Sequence, residues 1–413
     1  MRKILLSAAM TLAMVVWAGS SAAYADSSKV VACGQTLTHD TRLTHDLVNC
    51  PADGLIIGAD RLTVDLGGHS IDGVNAPGSE GISDDGHGDV QIKNGTIKDF
   101  FSYGVALRNA PHSAVRNLTI RQIGDGGTKS DTSAGILVKE SAASTITANT
   151  VTNDVSAYQS DGVDVLSSPG VLVSRNRLVD NAWDGMFVLD SPRGRVLENR
   201  LDHNRNHGTE INSGSDSVQV AGNVASNNGV NGIVVGALKD AHVNTNKFLA
   251  NGDTGLFLFD LIDSDVSVNS LAGNAFGLNL SDGQHGSTGN RIAGNTSNHN
   301  LLAGIVLDHA AGNTVVANIA NANKGLPGQG GGIVLFGASG NTMTKNVANN
   351  NVGVGLGIFE DAPGDSAGNT LARNTANSNG GHGIDVVAGT IDRGHNTAHR
   401  NTPLPNCVGV VCS

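Results

Sequence analysis

The 413-residue sequence is poor in charge, in aromatics and in thiols: 15% of its residues are charged, 3% are aromatic and four are cysteine. Beyond residue 25 no stretch sustains apolar residues at i, i+3, i+4 and i+7, which argues against a helical body. One long apolar run exists, Ile4 to Ala18, and no second follows it, so no membrane span is expected. Arg2 and Lys3 precede that run. Small residues then lead to Ala23-Tyr24-Ala25, the A-x-A pattern of a cleaved export signal. Residues 1–25 are therefore expected to be removed, leaving a secreted, extracellular chain that starts at Asp26. Losing Arg2 and Lys3 moves the formal charge from −11 to −13. Such a balance argues against nucleic acid or an anionic membrane surface as partner.

What the chain does contain is glycine, 55 residues of it, and a repeat. Asn341, Asn346 and Asn351 stand five apart, with Gly355 four residues later. Asn369, Asn374, Asn379 and Gly383 repeat the pattern, as do Asn290, Asn295, Asn300 and Gly304. Further back, Asn181, Asn204, Asn228 and Asn251 each stand four residues before Gly185, Gly208, Gly232 and Gly255. Thirteen glycines from Gly81 to Gly383 open short Gly-apolar-x-apolar segments, most of them 22 to 24 residues apart. Longer intervals read as that period plus an insertion, such as residues 324–330.

Two solenoids have a period in the low twenties. A leucine-rich repeat needs many Leu and usually one Asn per repeat. Here the apolar positions mix Val, Ile and Leu, and Asn recurs within one repeat. The pattern predicts an all-β fold, a right-handed parallel β-helix of about thirteen coils, with the right hand following from the crossover rule. Asn suits a bend because it tolerates left-handed backbone and bonds to its own main chain. Stacked coil on coil, the amides can also bond along the stack. The Gly is expected to allow a tight corner.

A solenoid of thirteen coils holds its ends roughly 60 Å apart. End-to-end pairing of the four cysteines is then impossible within one molecule. Cys33–Cys50 and Cys407–Cys412 are expected as local clasps on two caps. The domain reading is signal peptide 1–25, N-terminal cap 26–58, β-helix 59–400 and C-terminal cap 401–413, with a monomer expected.

The coil signature N-x4-N-x3-G-[IVL]-x-[VIL] resembles the right-handed β-helix repeat of the pectin-lyase-like superfamily. It is similar to its NosD-like and carbohydrate-binding branch. Residues 54–73 and 88–107 look like the opening coils of secreted members. The resemblance covers about residues 54–400 and implies a fold that hosts lyases, hydrolases, epimerases and non-catalytic proteins. A NosD-like copper role fits poorly. Copper favours Met, Cys and His, and beyond residue 25 the methionines are Met186 and Met343.

Side chains at equivalent positions of successive coils form columns about 4.8 Å apart per step. The position before the Gly reads Asp161, Asp184, His207, then Asn231, Thr254, Phe276 and Ala303. Two residues after the Gly the column reads Asp164, Phe187, Glu210. Scarce residues gather nearby: Trp183, Tyr158, and six arginines, Arg175, Arg177, Arg193, Arg195, Arg200 and Arg205. On one face these would suit an acidic polysaccharide: acids move protons, aromatics stack on rings, and Arg pairs with uronate carboxylates.

The segments around Asp161, Asp184 and His207 loosely resemble the NTD, DD and GHG motifs of polygalacturonases. Asp161 would match the NTD acid, Asp184 one acid of the DD pair, and His207 the GHG histidine. The DD pair is reduced to one Asp, Asn206 precedes the histidine, and no Arg-Ile-Lys follows. These departures separate the chain from that family.

Asp161, Asp184 and His207 are the expected catalytic centre, with Asp184 facing solvent as proton donor. Tyr158, Trp183, Phe187 and Arg205 are expected to bind substrate. A Ca²⁺-dependent lyase, with Asp164 and Glu210 among the oxygen ligands, is the other chemistry. The bland reading treats these acids as ordinary turn residues. It yields a non-catalytic exported module that binds glycan or acts as a surface spacer. Residues 83–89 read as a loop despite their metal-ligand types. Asp308-His309 and the pair His382 and Asp385 receive no role.

Overall fold

The computed structural model describes residues 30–124, 133–153, 160–325 and 330–413. The expected leader, residues 1–25, and Tyr158 lie outside them. Every regular element among the described residues is a β-strand. Sixteen short parallel strands, from Gln35–Leu37 to Cys407–Val408, stack into one long sheet, one strand per coil. Two further strands per coil build the other faces, as with Thr145–Thr147 and Thr150–Thr152. Those two faces are linked where Gln91–Phe100 and Ala114–Ile123 run across both. No described helix is long and apolar enough to cross a membrane.

Sixteen stacked strands make about fifteen turns, and they are three strands more than the thirteen glycines mark. The additional strands lie near the ends, at Gln35–Leu37, Leu55–Ile57 and Cys407–Val408, where the Asn-x3-Gly signature fades. The expected disulfides are present: Cys33–Cys50 and Cys407–Cys412, with Cα separations of 5.3 and 6.2 Å.

Period-2 alternation sets the interior. Val163, Met186 and Ile233 share one inward column, and Val165, Val188, Ile211 and Val235 the next. Asp164, Phe187 and Glu210 occupy the outward column between them.

At the corners, the asparagines are buried rather than displayed. Asn181, Asn204, Asn228 and Asn251 are at most 3% exposed. The Asn181 amide donates to Asn204 Oδ1 (2.8 Å), that of Asn204 to Asn228 (3.0 Å) and that of Asn228 to Asn251 (2.9 Å). The backbone N–H of each donates to the same oxygen of the next coil. A second ladder runs Asn149, Asn176, Asn199, Asn223, Asn246 and onward at the neighbouring corner. A third corner carries Ser141, Ser168, Ser191 and Ser215 in earlier coils, then Asn290, Asn313, Asn341 and Asn369.

Two expectations need correction. The ladder Asn is not itself left-handed. Its predecessor is: Asp180, His203, Asn227 and Ala250 have φ between 51° and 56°. Nor does the following Gly serve a left-handed turn. A Cβ on Gly185 would stand 2.5 Å from the Gly208 carbonyl oxygen and 2.8 Å from Asn204 Nδ2. The glycine makes room for the amide of the next coil, which explains why the two residue types recur together.

Removing one rung tests the ladder. Asn228→Ala deletes four side-chain bonds and strands buried groups on Asn204, Leu201 and Asn251. Urea unfolding should show a loss of about 3 kcal/mol or more. A loss well below 1 kcal/mol would make the ladder passive.

The N-terminal clasp predicts a local effect. Replacing Cys33 and Cys50 by Ser should cost about 3 kcal/mol. Because each coil contacts only its neighbours, amide exchange should quicken in residues 30–80 and stay unchanged beyond residue 300. Uniform acceleration along the chain would contradict that picture.

Candidate functional site

The sixteen-stranded sheet carries the candidate site on the strands Ser160–Leu166, Met186–Leu189 and Thr209–Ile211, three adjacent coils. Asp161, Asp184 and His207 stack in register just before these coils' glycines. Asp161 Oδ1 accepts the Asp184 N–H at 2.7 Å, and Asp184 Oδ1 accepts the His207 N–H at 2.8 Å. His207 Nδ1 accepts the Asn231 N–H (3.2 Å), and Asn231 Oδ1 accepts the Thr254 N–H (3.0 Å). The column is thus a fourth side-chain ladder, and each member caps the amide of the next coil.

Asp184 does not face solvent as expected. It is 1% exposed, and Asp161 and Asp164 are buried beside it. A short carboxylate that bonds to the next coil's amide lies flat against the sheet, whereas the larger His207 ring makes the same bond and still reaches the surface. Glu210, His207, Trp183 and Phe187 are half-buried and reach the surface, and Arg205 is exposed.

Burial shifts the titration of the whole group. Desolvation, followed by the Asp161 charge, pushes Asp184 up to about 8. Asp164 is pushed to about 7, chiefly by burial. Burial and the Asp164 charge raise Asp161 well above the ordinary carboxylate range, and burial raises Glu210. His207 falls to about 4 through burial and is neutral at pH 7. Since its Nδ1 accepts a hydrogen bond, the ring proton sits on Nε2. Asp164 Oδ1 and Asp184 Oδ2 are buried without a partner.

The arginines do not gather here. Arg177 and Arg200 pair in register on a different face, and Arg195 lies in a column with Leu172 and Gln219. Arg175 and Arg193 occupy left-handed corners. Arg205 remains beside the site, in the turn between Asn204 and His207. The six cluster in sequence because a 23-residue coil visits every face within 30 residues.

Asp164 and Glu210 stand two coils apart, roughly 10 Å, with Phe187 between them. Calcium–oxygen distances are about 2.3–2.6 Å, so as placed the two do not converge on one ion. Two amides escaped the sequence reading. Asn206 Nδ2 donates to Asp184 Oδ1 at 3.0 Å, although Asn206 looked like a mere departure from a histidine motif. Asn212 Nδ2 donates to Glu210 Oε1 at 2.9 Å, and its i+2 spacing along a strand was the available signal. Residues 83–89 are more than a loop: Asp84 ends a strand column inside the core, fully buried, with His87 Nδ1 at 3.2 Å.

The sequence profile of the family described as the right handed beta helix region matches residues 128–261 and 262–413. No curated protein matches the sequence. Among solved structures, the periplasmic alginate epimerase AlgG is similar at 14% identity and a TM-score of 0.47, covering 84% of this chain and 78% of that one. A thermostable GH87 alpha-1,3-glucanase from Streptomyces thermodiastaticus is similar at 14% identity and a TM-score of 0.49, with coverages of 89% and 63%. The Dettilon tailspike protein gives 16% identity and a TM-score of 0.42, with coverages of 81% and 63%.

The shifts predict a pH-dependent stability. Acids with raised folded pKa values hold protons that the unfolded chain releases near pH 4. Their stabilisation is complete at low pH and is lost as pH rises through about 7 and 8. His207 acts oppositely, but only between about 4 and 6.5. Above pH 6.5 the acids act unopposed, and the slope is up to about 1.4 kcal/mol per pH unit per retained proton. The thermal midpoint should therefore fall between pH 6.5 and 8.5, and fall less in Asp184→Asn. Parallel curves for the two proteins would disprove the assignment.

Proposed function

The chain belongs to the right-handed β-helix family, and from that premise we propose that it is an exported, polysaccharide-active protein performing acid–base chemistry on the sheet face over residues 160–212. One observation carries this reading. Asn231 shows that a neutral amide makes the same bond to the next coil that Asp161 and Asp184 make. The ladder therefore has no need of carboxyl groups there. Burying acids without a cationic partner is costly, and strongly perturbed acids concentrate at working sites.

The roles follow from exposure. Glu210 is the carboxyl that reaches the surface, with burial keeping its proton on to higher pH. It is the proton donor to a glycosidic oxygen. Asn212 orients it. Neutral His207 presents its Nε2–H, and Trp183 and Phe187 offer faces on which a sugar ring can stack. Asp161, Asp164 and Asp184 form a buried bed of acids with raised proton affinity behind them, with Asp184 positioned by Asn206. Hydrolysis fits this arrangement better than lyase chemistry. A uronate carboxylate would meet Arg205 but no cluster of arginines, and Asp164 and Glu210 do not frame a calcium ion. An acidic glycan is thus read through Arg205 alone.

The second reading, a non-catalytic glycan-binding module, draws on the same ladder, since Asp161 and Asp184 already have structural work. A screen for reducing-end and uronate release, with and without Ca²⁺, separates the two. Glu210→Gln should lower turnover by about 10²- to 10⁴-fold with an unchanged thermal midpoint. Unchanged turnover in that variant would refute the assignment. Binding without release by the wild type, across the panel, would favour the module.

A further inference from the structure

A separate corner of the solenoid gathers metal-ligating side chains from coils two turns apart. Asp308 closes the strand Ala303–Asp308, and His309 follows it. The next coils place Phe336 and then Phe359 in the Asp308 column. Asp361 and Asp365 come from the segment just after Phe359. His309 Nδ1 lies 2.8 Å from Asp308 Oδ1, and Nε2 lies 3.2 Å from Asp361 Oδ2. The imidazole must cross a whole coil to do this. It can because residue 337 is glycine: a Cβ there would stand 2.8 Å from both Cδ2 and Nε2 of the ring.

One potential ligand atom from each of Asp308, His309 and Asp361 lies within 4.8 Å of the others. His309 is itself the counter-charge of Asp308 and Asp361, and a bound ion would take the place of its second proton; Asp365 adds a further carboxylate. Asp365 uses Oδ2 to accept the N–H groups of Asp361 (3.2 Å) and Ala362 (2.7 Å). Its Oδ1 is buried with no partner, and its charge acts on His309. Three carboxylates thus surround one imidazole. Among the described residues no lysine or arginine forms an ion pair with any of the three.

We propose that Asp308, His309 and Asp361 form a binding site for a divalent cation of borderline softness, of which Zn²⁺ is the type. One imidazole nitrogen with carboxylate oxygens suits Zn²⁺, whereas Ca²⁺ and Mg²⁺ prefer all-oxygen shells. Three protein ligands leave a position for water. Asp365 holds the Asp361 backbone in place and adds negative charge behind it. The ion would join coils 304 and 355 across the one between them, at a corner where Asn ladders already bind each coil to the next.

The full chain, stripped with chelator, is titrated with Zn²⁺ against a fluorescent indicator. One ion per chain should bind, and His309→Gln and Asp361→Asn should each weaken it at least about tenfold. Gly337→Ala should weaken it similarly, because its methyl displaces the ring. His309→Gln and Asp361→Asn should keep the wild-type unfolding midpoint when metal-free, whereas Gly337→Ala, at φ 52°, should lower it somewhat because Ala disfavours left-handed backbone. Equal affinity in wild type and His309→Gln would assign the binding to other histidines and overturn the proposal. Displacement of Zn²⁺ by equimolar Ca²⁺ would overturn the ligand class.

Discussion

The structure depends on one interaction: a buried asparagine that bonds to the asparagine of the next coil. A β-helix must turn its backbone three times per coil, and each turn leaves amides and carbonyls facing inward. Buried polar groups without partners are costly. Here Asn204 takes two donors from Asn181, gives its amide to Asn228 and to the Leu178 carbonyl, and is thereby satisfied above and below. The residue before it enters the left-handed region, so the bend and the bonding are divided between two positions. The glycine four residues on is small because the amide needs its space. Asn, its predecessor and Gly thus form one corner unit.

The candidate site uses the same device with different chemistry. Its column caps each coil with a side-chain acceptor, as the Asn ladders do, but at three consecutive coils the acceptor belongs to Asp, Asp and His. Substituting a carboxyl for an amide keeps the acceptor and adds a proton whose affinity burial controls. That makes the site rigid, since each acid is fixed by a main-chain N–H. It also hides the acids: the geometry that orients Asp184 removes it from solvent. The residues that do reach the surface are then Phe187 and Glu210, stacked one coil apart in the outward column.

Much of this was legible in the sequence because a solenoid converts periodicity into space. The 161-184-207 spacing equals the local period, so stacking followed at once, and the disulfides followed from the length of the stack. What stayed hidden was direction. Period alone places Asp184 and Asn231 in one column but does not say whether that column points at water or along the sheet. Nor does it separate faces: Arg177, Arg195 and Arg205 are near in sequence, yet the chain rounds a corner between each. Asp84 misled for a related reason. Its glycine-rich setting reads as a turn, although the alternation from Ile82 aims it into the core. The last coil was missed because Asn406, not a glycine, precedes its strand, although Asn401 continues the ladder.

Length variation shows how such a fold accommodates new chemistry. The ladder step lengthens from 23 residues between Asn251 and Asn274 to 26 between Asn274 and Asn300 and 28 between Asn323 and Asn351, yet the amide bonds stay between 3.0 and 3.2 Å. Extra residues are expelled at corners and leave the stack undisturbed. One such segment, residues 283–286, is held by Asp260. Burial would raise the Asp260 carboxyl, but four backbone N–H bonds outweigh it and hold it below its ordinary value. Another insertion supplies Asp361 and Asp365 beside His309. The ladders fix where each coil must be, and so free the corner loops to vary. Loop residues can then meet side chains one or two coils away at distances that the stack, not the loop, determines.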